Sequence, residues 1–332
     1  MNILGSLLVS IGLLVILVVL AVKSVFKSKI PPGLKKGIYG EWNHRAIEEI
    51  TKTCKSSFSF AIVGDPHNSC CIFGDIIRDI NDDESIKFVI ILGDITQRGS
   101  LEEYLIAIDK LKKLKKPTVV LIGNHDIHKN GRDWFYKFFG YFYFYFKVGN
   151  SCFVMLDTSE KRYFPSFELK WLEDVLKSSY DCNLKFVFSH IPLFDPAKGE
   201  KEKGHSIQDF KLANLLLELL KKYNVDTIFC GHIHGFFSGY WDSLKFYVSG
   251  GGGGDLGGVG ENYFYHYLKV TIIGDKCNVE IIEVKTTPSK TLLEKVCKRY
   301  VIPFTVYLSK NSIPITLIAS FSILFGTLLF YL

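Results

Sequence analysis

Five apolar runs of strand length recur along the middle of the chain: Phe58 to Val63, Phe88 to Leu92, Thr118 to Ile122, Lys185 to Phe188 and Thr227 to Cys230. They are rich in Phe and β-branched residues and nearly uncharged, and continuous rather than alternating patterning predicts strands covered on both faces. Helical patterns lie between them. Ile72, Phe73, Ile76, Ile77 and Ile80 fall on one helix face, and Ser100 with Glu103 forms a capping box opening a helix that runs to Lys115. Tyr141 to Phe146 and Cys152 to Leu156, joined through Gly149-Asn150, predict a β-hairpin whose aromatic rings pack in the core. Strands alternating with helices indicate an α/β fold.

The ends read differently. Ile3 to Val22 holds no charge and no proline, and ~20 helical residues span about 30 Å, the hydrocarbon thickness of a bilayer. A cleaved signal peptide is the competing reading. The run is long for one, no basic residue precedes it, and Ala21-Val22-Lys23 is a poor cleavage site, so a membrane anchor is expected. Ile313 to Leu332 is a second uncharged stretch. Its Thr316, Ser320, Ser322, Gly326 and Thr327 fit either a buried core helix or a membrane helix packed on another. Lys23, Lys27, Lys29, Lys35 and Lys36 follow the first segment, and Lys290, Lys295, Lys298, Arg299 and Lys310 precede the second. Positive flanks on the inner side place the intervening domain on the cytoplasmic face. The expected organisation is an anchor (1–24), a basic juxtamembrane segment with a helix (25–56), the main domain (57–286), a basic amphipathic linker (287–312) and a second membrane helix (313–332).

Composition sharpens this in two respects. The net charge of +6 in 332 residues gathers near the apolar ends, a membrane signal rather than a nucleic-acid one. The eight cysteines are scattered, with Cys70 and Cys71 adjacent and no Cys-x-x-Cys pair, so reduced thiols are expected.

A polar cluster follows each apolar run: Asp65-Pro66-His67, Gly93-Asp94, Gly123-Asn124-His125-Asp126, His190, and Gly231-His232-Ile233-His234. Each alone is an ordinary turn. If the strands are largely parallel, however, their carboxyl ends share one edge of the sheet and the clusters converge there. Two carboxylates, one amide oxygen and four imidazoles, with His125 besides, exceed what one four-coordinate ion needs. Two ions ~3.5–4 Å apart sharing one carboxylate account for the surplus, with Asp94 as the candidate bridge. Hard oxygen and imidazole donors without thiolate suit Mn, Fe or Zn.

This ordered set resembles the calcineurin-like metallophosphoesterases, including the class III cyclic nucleotide phosphodiesterases, over roughly Phe58 to Val284. The resemblance implies a four-layer αββα sandwich of two mixed β-sheets. It also implies a first metal held by Asp65, His67, Asp94 and His234, and a second by Asp94, Asn124, His190 and His232. His125 would sit beside the phosphate as a catalytic group, with Asp126 either orienting it or capping a turn. The implied reaction is hydrolysis of a phosphate ester or phosphoanhydride by water that the two ions acidify and align. Arg98 resembles the phosphate-contacting arginine of phosphoprotein phosphatases, but Gln97 stands where those enzymes carry aspartate, which argues against that activity. Gly252, in the glycine-rich segment from Gly250 to Gly260, and His205 are further candidates for substrate contact. The expected substrate is a phosphorylated small molecule, such as a cyclic nucleotide, or a lipid-linked phosphate or pyrophosphate. A non-catalytic membrane scaffold is the alternative; the complete ligand set argues against it.

Overall fold

Alternation along the strands sorts the apolar residues onto two faces. In β1 (Ser57–Val63) Phe58, Phe60 and Ile62 share one core, as do Phe88 and Ile90 of β2 (Ile86–Ile91) and Val119 of β3 (Thr118–Val120). These three strands are parallel, and β10 (His266–Ile273) and β11 (Lys276–Glu283) extend the sheet antiparallel in the order β11-β10-β1-β2-β3. The second sheet comprises β4 (Phe144–Val148), β5 (Ser151–Met155), β6 (Leu184–Ser189), β7 (Thr227–Cys230), β8 (Phe236–Trp241) and β9 (Leu244–Ser249). Its order is β4-β5-β6-β7-β9-β8, parallel through β5, β6, β7 and β9 with antiparallel edges. The computed structural model describes residues 3–29, 40–160, 164–198, 202 and 204–331.

Aromatic rings join the sheets. On the inner face of the second sheet Phe146, Phe153, Phe188, Phe229 and Tyr247 stack in sequence from strand to strand, at centroid separations of 5.0, 5.9, 5.3 and 5.4 Å. Phe60 stacks on Phe88 at 4.9 Å and meets Phe153 edge-on at 5.4 Å, which ties the first sheet to this row. The outer face of the second sheet is covered by α6 (Ser166–Ser178) and α7 (Phe210–Lys222), whose Leu172, Leu176, Leu216 and Leu220 share a core with Val154, Val187 and Ile228. In the first sheet α3 (Ile72–Asp82) links β1 to β2 and α4 (Leu101–Leu111) links β2 to β3. The two mixed sheets with flanking helices are the fold expected above.

The edge at β3 is closed by a side chain. Asn43 of α2 (Glu41–Thr53) donates from Nδ2 to the Val120 carbonyl at 2.9 Å and accepts from the Val120 amide at 2.8 Å, imitating a neighbouring strand. Other boundaries differ from expectation. The capping box of Ser100 and Glu103 is present, but its helix stops at Leu111 rather than Lys115, where successive lysines lead to Pro117. The hairpin begins only at Phe144, and Tyr141 is exposed instead of packed in the core. The helix α5 (Gly131–Phe139) fell outside the expected elements.

The chain resolves into two compact units, Gly37–Lys295 and Met1–Lys36 with Val296–Leu332. The first holds both sheets and nearly all of α8 (Pro288–Val296). In the second, α1 (Ile3–Lys29) packs on α10 (Ser312–Tyr331), which follows a π-helical turn (Cys297–Val301) and α9 (Ile302–Lys310). A Cβ at Gly12 would lie 2.6 Å from Ile323 and 2.9 Å from the Ala319 carbonyl, so glycine sets how closely these helices approach. Leu14, Leu17, Ile318 and Phe321 remain exposed. Among the described residues one helix, Ser6–Lys27, is long and apolar enough to cross a membrane. Segments Pro288–Lys310 and Ser312–Leu324 meet that standard only as a pair broken by an 83° bend. Lys35 and Lys36 of the first basic flank lie outside the described residues.

The ring row yields a stability prediction. Phe188→Ala opens a cavity at its centre and should cost about 3–5 kcal/mol, lowering the urea midpoint of the detergent-solubilised chain, whereas Tyr141→Ala should leave the midpoint nearly unchanged.

Candidate metal centre

Rather than one sheet edge, the carboxyl ends of three parallel strands of the first sheet and two of the second deliver the polar clusters: β1 leads to Asp65 and His67, β2 to Asp94, β3 to Asn124 and His125, β6 to His190, and β7 to His232 and His234. The turns that present them are strained. Asp65, His67, Asn68, Asp94 and His232 all have positive φ, between 46° and 69°, a region that residues other than glycine enter at a cost of order 1–3 kcal/mol each. Backbone bonds hold them there: the His67 amide donates to the Asp94 carbonyl at 2.9 Å, the Asn68 amide to the Ile95 carbonyl at 2.9 Å, and the His232 amide to Asp65 Oδ2 at 2.9 Å. Gly123 is required by proximity, because a Cβ there would fall 2.2 Å from Asp94 Oδ1.

Two ligand-competent groups result. Asp65, His67, Asp94 and His234 form one, and Asp94, His190 and His232 the other, each with its donor atoms within 4.8 Å of one another. Asp94 belongs to both. Its Oδ2 lies 3.2 Å from His67 Nε2 and 3.3 Å from His190 Nε2; His234 Nε2 stands 3.6 Å from Asp65 Oδ1, and Asn124 Oδ1 lies 3.0 Å from His190 Nε2. Backbone carbonyls, which only accept, fix the tautomers. His190 Nδ1 donates to Leu92 O at 2.7 Å and His234 Nδ1 to Asp255 O at 2.6 Å, so each ring turns Nε2 inward. Asp65 Oδ1 and His67 Nε2 are buried without a hydrogen-bond partner. Divalent cations would satisfy both atoms, and the donor set fits them.

A family model for calcineurin-like phosphoesterases matches residues 58–236, more than half of the chain. The chain belongs to that family. It is 27% identical over 183 residues to a probable cyclic nucleotide phosphodiesterase of Rhodopseudomonas palustris, covering 50% of this chain and 63% of that protein. It is 31% identical over 171 residues to a probable glycerophosphodiester phosphodiesterase of Arcobacter nitrofigilis, covering 47% of this chain and 59% of the other. The chain thus spans less than two thirds of either relative. Among solved structures, a purple acid phosphatase from yellow lupin (Lupinus luteus) seeds superposes with a TM-score of 0.54 at 17% identity, over 69% of this chain and 52% of that one. PhoD superposes with a TM-score of 0.54 at 12% identity, over 76% and 78%. At such identities the likeness is one of fold.

Within this calcineurin-like site the charges are strongly coupled. Burial opposes ionisation of Asp94, but the imidazoles of His190 and His67 hold its carboxyl well below the ordinary range. Burial alone would lower the pKa of His190; the Asp94 carboxylate instead carries it up to about 9. At His67, burial prevails and the pKa falls. Against Asp94 the environment thus favours the cationic form of His190 and the neutral form of His67.

The remaining candidates divide. His125 stands at the site: its amide donates to Asp94 Oδ1 at 2.7 Å and its Nδ1 to the Gln97 carbonyl at 2.8 Å. Asp126 does not orient that ring. Its buried carboxylate accepts from the amides of Ile95, Thr96 and Gly123 and from the Thr96 hydroxyl, stapling the loops after β2 and β3 together. Burial and the Asp94 charge push its pKa up to about 7. Arg98 is exposed, with its amide bonded to Glu103, and it is the carbonyl of its neighbour Gln97 that reaches His125. Gly252 is buried and its amide is taken by the Gly64 carbonyl at 2.8 Å; a Cβ would meet that oxygen at 2.2 Å. Its part is thus close packing behind Asp65 rather than an amide offered to substrate. His205 lines a cleft of about 580 Å³ with Asn124, Ile127, His128, Ser159, Glu160 and Gln208. His266, by contrast, is a core residue, bonded to Ser249 Oγ and the Phe264 carbonyl.

Two outcomes follow. Because a metal at His190 must displace a proton held up to about pH 9, Mn²⁺ affinity measured by titration calorimetry should rise about tenfold per pH unit between about pH 6.5 and 8.5 and then level off; a flat profile contradicts the arrangement. Asp126→Ala orphans three loop amides and should lower stability by on the order of 3 kcal/mol in denaturant titration.

Proposed function

We propose that the chain is a metal-dependent phosphodiesterase held at a membrane by its terminal apolar helices, with the catalytic domain on the cytoplasmic side. The observation that carries this reading is Asp94, one buried carboxylate common to two ligand groups with His125 beside it. Asp65, His67, Asp94 and His234 would hold one divalent ion of the Mn, Fe or Zn kind, and Asp94, Asn124, His190 and His232 a second. When bound, such a pair supplies Lewis-acid polarisation of phosphoryl oxygens and an acidified water.

The chain's own residues supply the rest. The Gln97 carbonyl fixes the proton of His125 on Nδ1, which leaves Nε2 as the working nitrogen. In its protonated form that nitrogen donates to the oxygen of the departing alcohol. The departing group is received by the cleft of about 580 Å³ that opens from Asn124. Gln208 spends its Nε2 on the carbonyls of Gly204 and Ser206, which keeps its Oε1 as an acceptor, and Glu160 adds a carboxylate. Such acceptors suit an alcohol bearing further hydroxyls, such as a ribose or a glycerol. The names of the two curated relatives, for cyclic nucleotides and glycerophosphodiesters, support the same class.

The outward Leu and Phe side chains of α1 and α10 support anchoring, and the lysine-rich flanks support the cytoplasmic placement. They also favour a second reading, a lipid-linked phosphate or pyrophosphate as substrate.

The deciding experiment is hydrolysis by the full-length chain, purified in detergent with Mn²⁺, of monoesters, glycerophosphodiesters, cyclic nucleotides and nucleotide-lipid pyrophosphates. Preference for a hydroxyl-bearing diester supports the proposal; activity confined to the pyrophosphates in mixed micelles transfers it to the lipid reading; inactivity on every compound with metal bound refutes both. His125→Ala should keep its metal by elemental analysis while turnover falls roughly 10²–10⁴-fold.

A further inference from the structure

Cys70 and Cys71 stand apart from the other thiols. Cys54, Cys152, Cys182 and Cys230 are buried in the cores, whereas the adjacent pair is half-buried, and its Sγ atoms are 3.0 Å apart. The pair is held rigidly from behind. Glu294 of α8, itself fully buried, accepts from the amides of Cys70 at 2.9 Å, Cys71 at 2.7 Å and Ile72 at 3.2 Å, fixing the first turn of α3. On the preceding residue the Lys110 ammonium donates to the Ser69 carbonyl.

Two chemistries suit neighbouring thiols and one carboxylate: metal chelation and disulfide formation. Magnitudes separate them. Two thiolates at ~2.3 Å from a tetrahedral zinc stand roughly 3.8 Å apart, wider than the 3.0 Å found here. Both Glu294 oxygens are, moreover, engaged with backbone amides. The sulfurs lie roughly midway between chelating and bonded distance, and it is the engagement of both Glu294 oxygens that argues against chelation. Adjacent Cα atoms are only ~3.8 Å apart, below the ~4.4–6.8 Å usual for disulfides. Such a bond is strained, and strained bonds are the readily reduced, labile ones.

We propose that Cys70 and Cys71 are a redox modification site that reversibly forms a vicinal disulfide by exchange with a small disulfide of the glutathione type. One thiolate attacks the oxidant, forming a mixed disulfide and releasing one glutathione thiolate; the second thiol, losing its proton, displaces the other. The two cysteines give up two electrons, and one glutathione disulfide becomes two glutathiones. The site lies at the root of the loop bearing His67: the Ser69 amide donates to the Pro66 carbonyl at 2.7 Å, and Ser69 Oγ accepts from the Phe73 amide at 3.0 Å. The inference is independent of the substrate assigned to the metal centre, and its test reads mass rather than turnover.

The full-length reduced chain is incubated in detergent with glutathione disulfide, alkylated, digested and weighed. The peptide holding Cys70 and Cys71 should lose two hydrogens and escape alkylation, dithiothreitol should restore it, and Cys70→Ser should instead keep a glutathione adduct on Cys71. The proposal is overturned if both thiols stay alkylatable under conditions that modify the half-buried Cys277 or Cys297, if the wild-type chain stops at a glutathione adduct, or if the reduced chain holds a zinc equivalent that Cys70→Ser abolishes.

Discussion

The site depends on one buried carboxylate and on what must surround it. Asp94 is 1% exposed, and through Oδ2, Oδ1 and its carbonyl it touches His67, His190 and His125, residues from the ends of three other strands. An uncompensated charge at such depth costs several kcal/mol, so the loops after β1, β3 and β6 are drawn to one point. The proton on His190 is the compensation available to the polypeptide alone. Its Nε2 faces two acceptors, Asp94 Oδ2 and Asn124 Oδ1, while Nδ1 is committed to Leu92. A divalent cation replaces that proton with more charge and more coordination, which is why a ligand set of this kind is also a proton-coupled one.

Precision in the surrounding groups comes mostly from backbone atoms. The carbonyls of Leu92, Gln97 and Asp255 each hold one imidazole by Nδ1. The glycine segment after β9 packs against the loop bearing Asp65, with the Gly252 and Gly254 amides bonded to the carbonyls of Gly64 and Asp65. Asp126 joins two loops by accepting from their amides. These contacts orient the groups that would meet metal or substrate without doing so themselves, and each permits little adjustment.

This explains what could and could not be read from the chain. Strand positions and the polar residues after them were legible because a strand buried on both faces leaves a continuous apolar run, and because a carboxylate or imidazole at its end is conspicuous against it. Asp126 carries the same chemical signature as Asp94, yet apart from the Thr96 hydroxyl its partners are main-chain amides, which any residue supplies and no motif records. Gly252 illustrates the converse: glycine offers an amide for a phosphate and also permits backbone to pack on backbone, and only the 2.8 Å bond to Gly64 tells which applies. The cleft residues His128, Glu160 and Gln208 sit in irregular loops without periodicity, so nothing in their spacing marks them. α5 escaped because its Phe135, Phe138 and Phe139 read equally as part of the aromatic stretch that follows.

Strain at the site also connects it to the rest of the fold. Five non-glycine residues in left-handed conformations cost on the order of 5–15 kcal/mol at ~1–3 kcal/mol each, comparable to the whole net stability of a typical domain. The three amide bonds that hold His67, Asn68 and His232 return only ~0.5–1.5 kcal/mol each. The balance must come from burial elsewhere: Phe60 and Phe88 lie on β1 and β2, which lead to Asp65, His67 and Asp94, and Phe229 of the ring row lies on β7, which leads to His232. Ligand positions and core are thus coupled energetically as well as by sequence: Phe188 is two residues from His190, and Phe229 three from His232. A fold that spends this much of its stability on the geometry of its strand ends gains back more when cations bind there than one with relaxed loops would, because the strain is already present before the metals arrive.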